Sequence, residues 1–132
     1  MATIKSYTDI EQSRKLVEIL PLESADMYYS YYHNPISGAS YYEEYPMFHI
    51  PTNKNQSLSC WSLAALLGVI KEQGNVDLRF LQSTFDNRGK HLTNVWCCTF
   101  ENIGTVTLDL YADNPIDAVY ELVLKLNELK ML

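Results

Sequence analysis

The chain has 132 residues, of which 47% are hydrophobic and 20% charged, a composition typical of one ordinary folded domain. Ten Lys and Arg residues against sixteen Asp and Glu give a net charge of -6, and the absence of a basic cluster argues against nucleic-acid binding. No apolar run reaches the roughly 18 residues of a membrane span and no secretory signal pattern opens the chain, so we expect a cytoplasmic protein. A chain of this length buries about two thirds of its unfolded surface, so folding needs no cofactor and we expect none.

Negative charge is concentrated in one stretch. Between Leu16 and Asn53 there is no Lys or Arg, whereas five carboxylates are present: Glu18, Glu23, Asp26, Glu43 and Glu44. If this stretch binds by charge, its partner is a cation or a basic protein surface. The alternative is an acidic surface that serves solubility.

The first predicted element is an amphipathic helix. Thr8 and Glu11 have the spacing of a capping box, which predicts that the helix begins at Asp9. Pro21 disfavours the helical conformation at Leu20, so the helix ends there.

A tyrosine-rich segment follows this helix. Its composition predicts a strand over Asp26–Tyr32. Turn-forming residues then predict a long, irregular, acidic loop at about residues 33–57: Pro35, Gly38, Pro46 and Pro51. Loops of this length usually have a function, which makes this the first candidate functional region.

The apolar pattern in the middle of the chain predicts a central buried helix. Cys60–Ile70 is apolar on nearly all sides and follows Ser59, a residue able to cap a helix. Gly74 suits a left-handed helix end, so the helix is expected to end near Gln73.

Three strands and a last helix complete the predicted fold. Val76–Leu81, Val95–Phe100 and Val106–Tyr111 predict an antiparallel meander joined by Gly-containing turns. Asn114 and the following proline predict a capped amphipathic helix that runs to the end of the chain. We therefore expect one α+β domain over 1–132, with an antiparallel β-meander packed with the central buried helix and the amphipathic N- and C-terminal helices. The strand order is not derivable.

Several segments resemble a known family. Tyr7–Ser13, Leu20–Met27, Cys60–Leu67 and the helix start at Asp113–Pro115 are similar to a family of short uncharacterised proteins from gut anaerobic bacteria. The resemblance implies a bacterial origin and suggests a mobile element as the source. It carries over no site, because no activity is assigned to that family.

The enzyme hypothesis concerns a thiol. Cys60 followed by Trp61 at a helix start resembles the nucleophile helix of papain-like peptidases, in which the helix N-terminus lowers the pKa of the thiol. His91 would be the base and Asn94 its orienting partner. The separation between Cys60 and His91 is shorter than in that family, and buried core thiols are the alternative for all three cysteines, Cys60, Cys97 and Cys98.

Metal binding is a further hypothesis for the acidic segment. The candidate ligands are His33, His49, Glu43, Glu44 and Asp26. They lack the tight spacing of a metal-binding helix, and exposed loop residues explain them better, so we expect no metal.

The tyrosines give the favoured hypothesis, a small non-enzymatic binding protein. Tyr offers a large rigid contact surface with a polar tip, and seven of the ten tyrosines lie between residues 28 and 45. The candidate binding residues are Tyr28, Tyr32, Tyr41, Tyr42, Glu43, Glu44 and Tyr45. The expected partner is a protein with a basic surface; packing of the tyrosines on the sheet and its edge is the alternative, and homodimerisation stays open.

Overall fold

The computed structural model describes residues 5–48, 57–102, 104 and 106–132. These residues form an α+β fold with two antiparallel sheets and three α-helices, which confirms the expected class and the meander. The helices are α1 (Ile10–Ile19), α2 (Leu63–Ile70) and α3 (Pro115–Glu128). The strands are β1 (Met27–His33), β2 (Ser40–Tyr42), β3 (Met47–Phe48), β4 (Ser57–Cys60), β5 (Asn75–Phe85), β6 (His91–Asn102) and β7 (Val106–Ala112).

The first sheet is built around β1. β2 and β3 pair with β1, and β4 pairs with it through Met27 opposite Cys60 and Tyr29 opposite Leu58. Because Met27 also lies opposite Phe48, β3 and β4 occupy opposite edges of β1. The irregular loop expected at 33–57 is therefore wrong for residues 40–48, which contain two strands, and residues 49–56 lie outside the described ones.

The second sheet is the predicted meander in the order β5-β6-β7. The turn between β5 and β6 forms around Asp86, whose carboxylate accepts the amides of Arg88 and Lys90, and Gly89 adopts φ +81°. Both strands are longer than the alternating patterns predicted, since the ladder continues to Phe85 opposite His91.

Helix α3 packs over β6 and β7 and contacts α2. Its Asn114 side chain accepts the Asp117 amide at 3.0 Å and Pro115 takes the first helical position, as predicted. The helix ends at Glu128 rather than at the chain end, and Lys130 adopts φ +59°.

Two clusters of buried residues form the interior. The larger joins α1, α2 and α3 to β6, with Trp61 and Phe100 as its largest fully buried side chains. The smaller lies beneath the first sheet and contains Met27, Tyr29, Leu58 and Cys60. Within the described residues no helix is long and apolar enough to cross a bilayer.

Two predicted helix starts are shifted. The N-cap of α1 is Asp9, one residue later than Thr8, and Gln12 completes the capping box in place of Glu11. Thr8 is instead fully buried, with its hydroxyl accepting the Trp61 amide at 3.1 Å. The prediction of Thr8 as the N-cap is wrong, because Asp9 offers the same capping chemistry one position later.

Helix α2 begins at Leu63 with Ser62 as its cap, so the start predicted at Ser59 is wrong. The preceding residues, including Cys60, form β4. The helix ends at Ile70, and its exposed side carries Ala64 and Gly68, so it is not buried all round.

Candidate functional site

The first sheet presents a tyrosine-rich outer surface. Residues of β1 alternate between two sides, so Met27 and Tyr29 point to the interior while Tyr28 and Tyr32 point outward. Residues directly opposite in a ladder share a side, which places Met47 beside Tyr28 and Tyr41 beside Tyr32. The outward residues Tyr28, Tyr32, Tyr41 and Met47, together with Glu43, are called the tyrosine face below.

Glu43 extends the same surface. Its amide donates to the Ser30 carbonyl at 2.8 Å, which continues the pairing of β2 with β1 by one residue. This register sets Glu43 opposite Ser30, on the side that carries Tyr32 and Tyr41. The Glu43 carboxylate is exposed and forms no ion pair with a described residue.

The aromatic part of the tyrosine face is accessible and ordered by stacking. Tyr32 is 48% exposed and Tyr41 57%, and their rings stack with centroids 5.7 Å apart and planes inclined by 30°. Met47 is 57% exposed. The opposite side of the sheet is anchored by buried Met27 and Tyr29, so the face is held on a packed support.

Tyr42 lies on the other side of the sheet, away from Tyr32 and Tyr41. Its ring contacts Tyr31 with centroids 5.1 Å apart, and the Arg14 guanidinium lies 5.4 Å from its centroid. The structure therefore separates Tyr42 from the rest of the predicted binding set, because strand alternation divides consecutive tyrosines between two sides.

Glu44 and Tyr45 border the tyrosine face in the connection between β2 and β3. Both are exposed, Tyr45 at 67%. The exposed residues Met47 and Phe48 were missed by sequence reasoning. The alternation that reveals an outward side needs more residues than the two of β3, and only its pairing with β1 identifies this strand.

Cys60 lies at the end of β4 and is fully buried. Its thiol donates to the Thr8 carbonyl at 3.3 Å and lies 3.5 Å from the Thr8 hydroxyl, which in turn contacts the Ser13 hydroxyl at 2.8 Å. Burial raises the pKa of the Cys60 thiol, and the hydrogen bonds from Thr8 and Ser13 offset only part of this effect. The site therefore favours the neutral thiol over the thiolate.

His91 and Asn94 are not brought to Cys60. His91 opens β6 in the second sheet, where its Nε2 contacts the Ser83 hydroxyl at 2.7 Å and its ring lies against Phe85. Asn94 is exposed in the same strand with φ +53°. Cys60 also lies outside the helix whose dipole would activate the thiol, because it ends β4 three positions before Leu63, the first residue of α2. The geometry gives the thiol-hydrolase hypothesis no support.

The other two cysteines are also buried and free, and they point to opposite sides of β6 as expected. Cys98 belongs to the larger core, where burial raises its pKa to about 12. Cys97 lies opposite Tyr111 and contacts the Thr99 hydroxyl on the outer side of the sheet.

The candidate metal ligands are dispersed. Asp26 accepts the backbone amide of Ser62 at 2.9 Å and also its hydroxyl, so this carboxylate supports the start of α2. His33 Nδ1 contacts the Ser40 hydroxyl at 2.7 Å. His49 lies outside the described residues, and within them no three His, Cys, Asp or Glu side chains form a ligand group.

In comparisons with known proteins, no family model, curated protein or solved structure matches the chain. The resemblance to short proteins of gut anaerobic bacteria accordingly stays a prediction.

Proposed function

We propose that the chain is a small binding protein that holds a basic segment of another protein on its tyrosine face. The observation that carries the proposal is the combination of the exposed, stacked Tyr32–Tyr41 pair with the Glu43 carboxylate, which forms no ion pair with a described residue, on one side of a packed sheet. Exposed aromatic residues on a rigid support are typical of protein-binding surfaces.

Charge selects a basic partner. Glu44 lies next to Glu43, and the chain has no Lys or Arg between Leu16 and Asn53 that would neutralise the pair. An arginine side chain suits such a surface best, because its planar guanidinium both stacks on tyrosine and pairs with a carboxylate. The chain contains this contact on the opposite side of the same sheet, where Arg14 lies over Tyr42.

The proposed location is the cytoplasm, where a reducing environment keeps thiols free. The three free, buried cysteines agree with such a compartment.

The test uses defined peptides and matched variants. Fluorescence anisotropy would measure binding of an Arg-Gly repeat peptide, a Lys-Gly peptide and a Glu-Gly peptide to the full chain. We expect the arginine peptide to bind more tightly than the lysine peptide, and the glutamate peptide not to bind. Tyr41→Ser should weaken arginine-peptide binding about tenfold, in line with the loss of an interface aromatic.

Phe85→Ser is the matched control, since Phe85 is 63% exposed but lies at the end of β5 in the other sheet. This variant should bind as the wild type does. Equal weakening by both substitutions, or equal binding of all three peptides, would refute the proposal.

A further inference from the structure

Strand β5 forms one edge of the second sheet. It pairs with β6 on one side, and no described residue pairs with its other side. At 11 residues it is long for an edge strand and contains no proline. Proteins usually protect such edges, because the unpaired amides and carbonyls invite pairing with another strand.

The helix-facing side of β5 is also incompletely covered. Helix α3 packs over β6 and β7, so Cys98 and Phe100 of β6 are fully buried. Their neighbours on β5, Leu78 and Val76, are only half-buried. Phe80 is 48% exposed, although it contacts Trp96 at a centroid distance of 5.7 Å. A strand added at this edge would cover these apolar side chains.

The charges of β5 select one register for pairing with a copy of itself. Two identical antiparallel strands pair about a residue that faces itself across the axis. With Leu78 on the axis, Asp77 of each copy faces Arg79 of the other. With Asp77 or Arg79 on the axis, like charges face each other, which destabilises the pair.

The strand geometry favours the same centre. Pairing of β5 with β6 is continuous from Asn75 to Leu81 and is interrupted at Gln82, opposite Asn94 with its φ of +53°. Leu78 is the midpoint of this continuous part. Centring on Phe80 instead would extend the pairing across the interruption and would leave Asp77 and Arg79 opposite uncharged residues.

We propose that two copies of the chain associate through β5, antiparallel and centred on Leu78, so that their three-stranded sheets join into one of six strands. Within each chain the Arg79 Nε lies 3.5 Å from an Asp77 carboxylate oxygen. In the dimer each of these groups also meets its opposite charge from the second copy. On the other side, Phe80 packs against Val76 of the second copy.

Charge reversal tests both the dimer and its register. Sedimentation velocity over a concentration series should show wild-type mass rising from 15.2 kDa towards twice that value. Arg79→Asp and Asp77→Arg should each raise the dissociation constant about tenfold, because two attractive cross-strand pairs become repulsive. Mixing the two variants should restore the dimer. The Arg79→Asp chain carries an acid at both 77 and 79, and the Asp77→Arg chain carries an arginine at both positions, so every facing pair is again attractive.

Arg88→Asp is the control, because it makes the same charge change in the turn beyond β5. The side chains of Asp77 and Arg79 are 66% and 57% exposed, so their replacement should leave the circular dichroism spectrum unchanged. A wild type that stays monomeric, or a failure of the mixture to restore the dimer, would overturn the proposal. The tyrosine face lies on the other sheet, so peptide binding and dimerisation can fail separately.

Discussion

Gly74 and Gly68 lie close in sequence but differ in the space available for a side chain. A Cβ at Gly74 would lie 2.6 Å from the Glu101 carbonyl oxygen and 2.8 Å from the Phe100 ring. Close approach of the backbone, rather than the left-handed helix end expected from the sequence, therefore explains glycine at position 74. A Cβ at Gly68 would meet nothing within 4 Å.

Alanine at these two positions should have opposite effects on stability. Gly74→Ala should lower the free energy of unfolding by about 1–3 kcal/mol, as overpacking does. Gly68→Ala should raise it by about 0.5–1 kcal/mol, because alanine restricts the unfolded chain and favours the helix. Urea denaturation of both variants checks this, and destabilisation by Gly68→Ala would contradict it.

The Cys60 thiol should react slowly in the folded protein. Its raised pKa and complete burial both limit the thiolate, the reactive form. Iodoacetamide labelling followed by peptide mass spectrometry should give Cys60 a rate at neutral pH comparable to that of Cys98. Urea should accelerate both, whereas rapid labelling of Cys60 alone in native buffer would restore the enzyme hypothesis.

At the scale of the elements, local chemistry predicts some boundaries and fails at others. Asn114 and Pro115 identify the start of α3, because cap and proline are adjacent in sequence. The predicted start of α2 is three residues too early, because Ser59 and Ser62 both precede an apolar run. Pairing of Cys60 with Met27, 33 positions earlier, makes Ser57–Cys60 a strand rather than the first turn of the helix.

The candidate site was predictable in composition but not in arrangement. The sequence identifies Tyr32 and Tyr41 as candidates, whereas their stacking depends on the register between β1 and β2. A shift of register by one residue would have exchanged Tyr41 for Tyr42 on the outer side. No local signal specifies that choice.

Asp26 should stabilise the start of α2. Its carboxylate accepts two hydrogen bonds from Ser62, close to the positive end of the helix. Asp26→Ala should reduce the free energy of unfolding by about 1 kcal/mol, the typical contribution of such bonds. Exposed Glu23→Ala is a control with the same loss of charge, and equal effects of the two in urea denaturation would contradict this role.

At the scale of the whole molecule, one polar network joins distant parts of the chain. The Lys5 ammonium donates to Asp117 at 2.9 Å and to Asp9 at 3.0 Å, and the Gln12 amide donates to Asp117 at 2.7 Å. Burial alone would raise the pKa of Asp117. The hydrogen bonds from Lys5, Gln12 and Asn114 outweigh burial and hold that pKa below its ordinary value.

This network should make part of the stability dependent on pH. Because the pKa of Asp117 is lower in the folded than in the unfolded chain, its ionisation stabilises the fold above the unfolded pKa. The contribution is lost as the pH falls through the folded pKa. Asp117→Asn should therefore be less stable than wild type at pH 7, by about 1 kcal/mol, with a difference that shrinks on acidification. Thermal unfolding from pH 7 to pH 3 measures this; a constant difference would contradict it.

The backbone of Thr8 has a consequence for synthesis on the ribosome. Its amide donates to the Trp61 carbonyl, and its own carbonyl accepts the Tyr29 hydroxyl. The pairing of Thr8 with Trp61 therefore cannot form until residue 61 has left the exit tunnel, and the Lys5–Asp117 bond cannot form until residue 117 has left it. Thr8 and Lys5 thus reach these contacts only after residues far along the chain have been translated, so a nascent chain stalled before position 61 exposes the smaller core to proteases and chaperones.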